Sequence, residues 1–359
     1  MDEQAAPEPE VSADESAIAE ASAPGSLPEE LPPVEPPSAS FIMQLFLVPA
    51  IIVAAVIGIW ALFGQLSASE QDWRQLVTEL SSGNEHRRWR GANGLAQMLR
   101  ADIELGEDGQ HLAANEQIAD EFAALMSDLL DEKSRTDEHL QQLDFVTRTL
   151  SWLDTHESTI PGLVRATSSE YPEIIRVTAA RSLSVIGGRA VEGGAPLSDP
   201  RITDALIDAS KATEPLIRQA CVYALGVFPG DASRQRLLTA LEDPDSLVRV
   251  NAAIALGRFQ DTAGVPELLG TLDDAMVRAE PSQMPGDNDQ ERRLNAQAED
   301  AVKTLIAGNA LPMLIQLKTE LTEQQRSDAR SRAAKLADGH PEIKIRLEAQ
   351  RAVRELAEP

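Results

Sequence analysis

The longest hydrophobic segment of the chain runs from Phe41 to Gly64 without an ionisable side chain, and Gln44 is its only strongly polar residue. A helix over 41–64 is about 36 Å long, whereas the hydrocarbon core of a bilayer is about 30 Å thick. A helix also satisfies its own backbone hydrogen bonds, as a lipid-embedded segment must. The pattern therefore predicts one N-terminal transmembrane helix over 41–64.

The residues that flank this segment bear on how it is used. No Lys or Arg precedes it, which argues against a cleaved signal peptide because such peptides begin with a basic region. Arg74, Arg87, Arg88 and Arg90 follow it. Because cytoplasmic flanks are enriched in Lys and Arg, we expect a single-pass membrane protein whose C-terminal region is cytoplasmic.

Beyond Ser67 the apolar positions follow a helical period, and three predicted second helices of helix pairs can be superimposed. They are Glu173–Leu183, Pro215–Leu225 and Ser246–Leu256. Each has an apolar residue before an arginine, small or short side chains three and four positions later, and a leucine seven positions later. The three arginines are Arg176, Arg218 and Arg249, and Arg88 begins a degraded fourth copy.

The predicted first helices share a motif in which proline follows an apolar residue, and we call it the proline motif. It occurs at Ile160-Pro161, Val265-Pro266 and Leu311-Pro312. Proline suits the first turn of a helix because its missing N–H has no partner there. Paired helices with a period of about 30–45 residues are typical of an α-solenoid. We therefore predict an all-α fold, with a solenoid of about six to eight helical pairs over 69–357.

The segment Leu237–Asp245, continuing through Val248-Arg249, resembles the HEAT-repeat family, and the resemblance is clearest over 157–275. The family pattern implies a ladder in which an Asp of the turn within a repeat and an Arg six residues later link neighbouring repeats. Asp243 and Arg249 have this spacing. At the same offset Arg176 has Glu170 and Arg218 has Ala212, so the ladder is expected to be altered at the first arginine and broken at the second.

The net charge of the chain indicates what kind of partner it can bind. Residues 1–40 contain ten acidic residues, eight prolines and no basic residue, which predicts a disordered acidic tail. The whole chain has a net charge of −26, so residues 41–359 carry −16. An acidic solenoid disfavours nucleic acid as a ligand, because nucleic-acid binding requires clustered Lys and Arg. We expect a protein partner with a basic surface instead.

The sequence contains no catalytic signature. The five histidines form no metal-binding pattern, and no phosphate-binding glycine loop or nucleophile elbow is present. The single cysteine, Cys221, is interpreted as a small core residue. We therefore predict no enzymatic activity, no cofactor and no metal.

The favoured function is a membrane-tethered scaffold or adaptor that binds a protein along the second helices. From helical phase, Arg181, Tyr223 and Arg258 are the candidate partner-binding residues. Three predicted loops, 101–117, 187–200 and 280–289, are either binding insertions or spacers. Two alternatives remain: a HEAT-like lyase or enzyme accessory protein that acts on a bound cofactor, as the resemblance to bilin lyases allows, and a structural subunit of a membrane complex.

Overall fold

The computed structural model describes residue 47 and residues 51–58, 72–132 and 136–357. The chain divides into two units, Met1–Glu70 and Gln71–Pro359. The predicted disordered tail, 1–40, lies outside the described residues.

The predicted transmembrane helix is not supported by the part of the chain that the structure describes. No helix among these residues is both long and apolar enough to span a bilayer. Within 41–64 the described residues are Leu47 and the exposed helical segment 51–58, and the rest of that range lies outside the description.

The second unit is built from α-helices, and its described residues contain no β-strand. Fourteen α-helices follow one another along residues 72–357. They are α1 Trp73–Leu80, α2 Glu85–Leu105, α3 Glu116–Asp131, α4 Asp137–Leu150, α5 His156–Ala166, α6 Glu173–Glu192, α7 Pro200–Ala209, α8 Pro215–Leu225, α9 Asp231–Ala240, α10 Ser246–Arg258, α11 Val265–Asp274, α12 Asp289–Gln316, α13 Glu323–Gly339 and α14 Ile343–Glu355.

These helices form seven consecutive pairs, and the two helices of each pair pack against each other. The even-numbered second helices from α4 to α14 also pack each against the next. The odd-numbered first helices do the same from α1 to α9, and α11 packs against α13. Two parallel layers result, which is the arrangement of an α-solenoid. The predicted all-α helical-repeat fold is confirmed.

Side-chain caps set the starts of several helices. The Asp245 carboxylate accepts a hydrogen bond from the Val248 N–H at the start of α10, at 3.0 Å. Asn84 and Thr136 cap α2 and α4 in the same way. Such caps satisfy backbone donors that the first turn leaves without partners. The three superimposed second helices begin at the predicted residues, Glu173, Pro215 and Ser246.

The buried side chains of the second unit form two hydrophobic clusters. One cluster extends from Leu76 to Leu256, and the other from Ala253 to Leu356. Helix α10 contributes to both, because Ala252 and Leu256 belong to the first cluster and Ala253 to the second. The two clusters therefore meet at α10, which contributes side chains to both.

All three predicted loops are partly helical. Helix α2 extends to Leu105, and α6 extends through Gly187 to Glu192. A Cβ atom at Gly187 would lie 2.7 Å from the Phe228 ring. This glycine therefore allows α6 to approach the following pair closely, and its predicted place in a loop was wrong. In the third predicted loop, 280–289, a short 3-10 helix covers Pro281–Gln283.

The proline motif predicts the start of a helix correctly in only one of its three occurrences. Pro266 lies in the first turn of α11. Pro161 lies inside α5, and Pro312 lies near the end of the 28-residue helix α12, so Leu311-Pro312 does not begin a first helix. Leu311 and Leu314 are fully buried on α12. Their packing keeps this segment helical, although Pro312 removes one backbone hydrogen bond.

Candidate functional site

An arginine occupies the fourth position of six of the seven second helices. The six are Arg88, Arg176, Arg218, Arg249, Arg292 and Arg346. The first four were predicted from the sequence, whereas Arg292 and Arg346 were not. A signal for the last was present, because Pro341 precedes Arg346 by five residues as Pro244 precedes Arg249.

Five of these arginines, all except Arg88, donate to a carbonyl group at the end of the first helix or in the turn that follows it. Arg249 Nη1 donates to the carbonyl oxygens of Asp243 and Pro244, at 3.0 and 3.3 Å. Arg346 Nη1 makes the equivalent bonds to His340 and Pro341, at 2.8 and 2.9 Å. The bonds satisfy backbone carbonyl groups of the turn between the two helices. Their role is structural.

The connection between repeats differs from the predicted ladder. Arg218 was expected to break it, yet its Nε and Nη2 donate to the two carboxylate oxygens of Asp243 in the next pair, at 2.9 and 2.8 Å. These hydrogen bonds raise the pKa of Arg218 and hold the pKa of Asp243 below its usual value. Asp243 was missed because an acidic residue was expected six residues before the arginine, whereas the actual partner lies 25 residues after it.

Three further arginines also reach an acidic residue of the following pair. Arg88 Nη1 lies 3.5 Å from Asp128 Oδ2 on α3. Arg249 Nε lies 3.1 Å from Glu267 Oε1 on α11. Arg176 Nη1 lies 4.0 Å from Glu214 Oε2, and its Nε donates to the Thr167 carbonyl at 3.1 Å. Glu170 is therefore not the partner of Arg176. The acidic side chains of this ladder therefore pair with arginines of the preceding helical pair.

A groove of about 450 Å³ lies where the carboxyl ends of four consecutive second helices meet. We call it the second-helix groove. Its lining includes Gly188 and Val191 of α6, Tyr223 of α8 with the following Gly226, Arg258 of α10 with the following Phe259, and Gln316 of α12. Exposed apolar side chains, including Val191, stand beside polar ones, so the groove offers both packing surface and hydrogen-bonding groups.

Arg258 and Tyr223 form the polar centre of the groove. The guanidinium carbon of Arg258 lies 5.0 Å from the centre of the Tyr223 ring, within the range of a cation–π interaction. Arg258 Nη1 is buried and has no hydrogen-bond partner among the described residues. A buried donor without a partner is costly, so this group favours a ligand that supplies an acceptor.

The structure brings together two of the three candidate residues. Tyr223 and Arg258 line the same groove, whereas Arg181 is exposed on α6 but is not part of the lining. The groove residues Val191 and Gln316 were missed. Val191 lies in the part of α6 that was predicted to be a loop. Gln316 lies at the end of α12, where the proline motif had predicted the start of a new helix.

Two features concern the metal-binding and nucleophilic side chains of the described residues. Among them, no group of three or more His, Cys, Asp or Glu residues is arranged to hold a metal ion. Cys221 is fully buried, and burial raises the pKa of its thiol to about 12. The thiol therefore stays protonated at neutral pH, and the nucleophilic form of cysteine is the thiolate.

Comparison with known proteins places repeats in the middle of this unit. Residues 198–280 match the sequence pattern of HEAT repeats. This range covers α7 to α11 and includes Tyr223, Asp243 and Arg258. The resemblance seen in the sequence is thus supported over this range. No curated protein matches the chain.

Several solved structures resemble the fold. YibA of Escherichia coli has 15% identity and a TM-score of 0.38, covering 84% of this chain and 97% of its own. The CpcE–CpcF complex of phycocyanin lyase from Nostoc sp. PCC7120 has 19% identity and a TM-score of 0.38, covering 73% and 94%. Human deoxyhypusine hydroxylase has 15% identity and a TM-score of 0.29, covering 82% and 99%. At these values the similarities support no inference about activity.

Proposed function

We propose that the protein is a non-enzymatic adaptor that binds a protein partner in the second-helix groove. The observation that carries the proposal is the pairing of Tyr223 with Arg258, whose buried Nη1 has no partner among the described residues. Stacked helical pairs create extended surfaces of the kind that bind proteins. Tyr and Arg are also the residue types most enriched among residues that dominate binding energy at interfaces.

The groove refines the expected chemistry of the partner. The net charge of −26 still favours a partner with a basic surface. Within the groove, however, Arg258 favours a hydrogen-bond acceptor, and Val191 and Phe259 favour an apolar side chain. We therefore expect a partner that inserts an apolar residue next to a carboxylate or a backbone carbonyl.

Photo-cross-linking tests this proposal with the full-length protein in its native membrane extract. A photoreactive amino acid at Val191 should cross-link to a defined partner protein. Adding Arg258→Glu or Tyr223→Ala should reduce that cross-link by about ten-fold, since either change removes a central contact. Quantitative mass spectrometry of the cross-linked product measures the effect.

The matched control is Arg330, an exposed residue of the first helix α13. Arg330→Glu makes the same charge change as Arg258→Glu and should leave the cross-link at Val191 unchanged. Equal losses from both charge reversals would contradict a specific groove. Undiminished cross-linking in the Tyr223→Ala and Arg258→Glu variants would place the binding site elsewhere.

We also propose that the adaptor is tethered to a membrane, which the uncharged sequence of 41–64 supports. Full-length protein should therefore remain in the membrane pellet through high-salt and carbonate washes, because lipid and not charge retains such a helix. A variant that lacks 41–64 should move to the supernatant. Release of the full-length protein by salt alone would contradict the tether.

A further inference from the structure

A second cleft lies between α12 and α14, the last two second helices. Its volume is about 400 Å³, and it shares no residue with the second-helix groove. Leu305 and Pro312 of α12 line one side of it. Glu342, Lys344, Ile345 and Glu348, at the start of α14, line the other. We call it the terminal cleft.

One apolar side chain of the terminal cleft is left in water by the fold. Leu305 on α12 lines the cleft and is 66% exposed. Ile343 and Leu347 on α14 are also exposed, but they do not line the cleft. Burial of the Leu305 side chain against a ligand is favourable because it removes apolar surface from water.

The charged side chains that line the terminal cleft have a small net negative charge. Glu342 and Glu348 contribute two negative charges and Lys344 one positive charge, which leaves a formal charge of −1. Glu348 Oε2 is buried and has no hydrogen-bond partner among the described residues. A carboxylate oxygen in this situation loses solvation without compensation, so a cationic donor is the ligand group it favours.

We propose that the terminal cleft binds a basic amphipathic helix of a partner protein. A Lys or Arg of that helix donates to Glu348, and a leucine one turn away packs against Leu305. Helices commonly dock in grooves through residues spaced in this way. This site goes beyond the proposed function, since it is separate from the second-helix groove and selects a ligand of opposite charge to that favoured by Arg258.

The test uses purified full-length protein and a fluorescein-labelled peptide that repeats leucine and lysine four positions apart in an alanine–glutamine background. Fluorescence anisotropy should show binding of this peptide but not of a counterpart with glutamate in place of lysine. Glu348→Gln keeps the shape of the side chain and removes its charge. It should weaken binding of the lysine peptide by about ten-fold or more, because a charge-assisted hydrogen bond is lost.

Two controls separate this site from general attraction and from the second-helix groove. Glu138→Gln removes one exposed negative charge from α4 and should change the affinity less than about two-fold. Arg258→Ala should leave peptide binding unchanged, so failure of the proposed groove function does not affect this test. Equal weakening by Glu348→Gln and Glu138→Gln, undiminished binding by Glu348→Gln, or no binding by the wild type would overturn the proposal.

Discussion

Replacing Leu256 by alanine should lower the free energy of unfolding by about 2–5 kcal/mol, because it opens a cavity in the core. Leu256 is fully buried on α10. Ala252, one turn earlier, is also fully buried, and Ala252→Glu should be more damaging because it places an unpaired carboxylate in a site with no space for it. Urea denaturation followed by circular dichroism measures both effects.

Two exposed positions serve as controls for these core changes. Leu216 on α8 is largely exposed, so Leu216→Ala should change stability by less than about 0.5 kcal/mol. Ala298 on α12 is exposed, so Ala298→Glu is the control for the carboxylate that Ala252→Glu introduces. If the core variants were as stable as these controls, the packing of α10 described here would be wrong.

Removal of the Asp243 side chain should cost about 3 kcal/mol, because it leaves the Arg218 guanidinium without its carboxylate partner. The two side chains are only 12% and 8% exposed. The cost stays at the lower end expected for a buried pair, since Arg218 keeps its bonds to the carbonyl groups of Ala212 and Thr213. A double-mutant cycle of Asp243→Ala and Arg218→Ala isolates the interaction energy.

The same pair gives a pH dependence of defined sign. The hydrogen bonds from Arg218 hold the pKa of Asp243 below its ordinary value of 3.8. The pair therefore stabilises the fold fully above that value, and its contribution declines as the pH falls through the lower, folded-state pKa. The stability difference between wild type and Asp243→Asn should be constant near neutral pH and should shrink below about pH 4.

A surface pair provides the contrast. Asp208 and Lys211 form an exposed ion pair on and just after α7. Asp208→Ala should change stability by no more than about 1 kcal/mol. A comparable loss from Asp208→Ala and Asp243→Ala would show that burial is not what makes the Arg218–Asp243 pair important.

The repeat period and the starts of three second helices could be read from the sequence, because local features determine them. Short side chains three and four positions after Arg176, Arg218 and Arg249 mark the buried face of each helix. The lengths of α6 and α12 could not be read in the same way. Gly187 and Pro312 discourage helix locally, and only contacts with other repeats make the helical state favourable at those positions.

The site was predictable in part for a related reason. Helical phase was sufficient to select Tyr223 and Arg258, which lie near the ends of two neighbouring second helices. It did not exclude Arg181, because the groove is formed by helix ends and Arg181 lies in the middle of α6. The pairing of Arg218 with Asp243 was missed because it joins two repeats, and the spacing rule considered each repeat alone.

The change of core cluster at α10 gives the second-helix groove a mechanical consequence. Tyr223 and Phe259 belong to segments that pack into the first cluster, whereas Gln316 is followed by Leu317 of the second. A partner bound in the groove would therefore contact residues next to both clusters. Its binding energy would oppose separation of the two clusters. Binding in the groove would therefore raise the free energy needed to unfold the region where the two clusters meet.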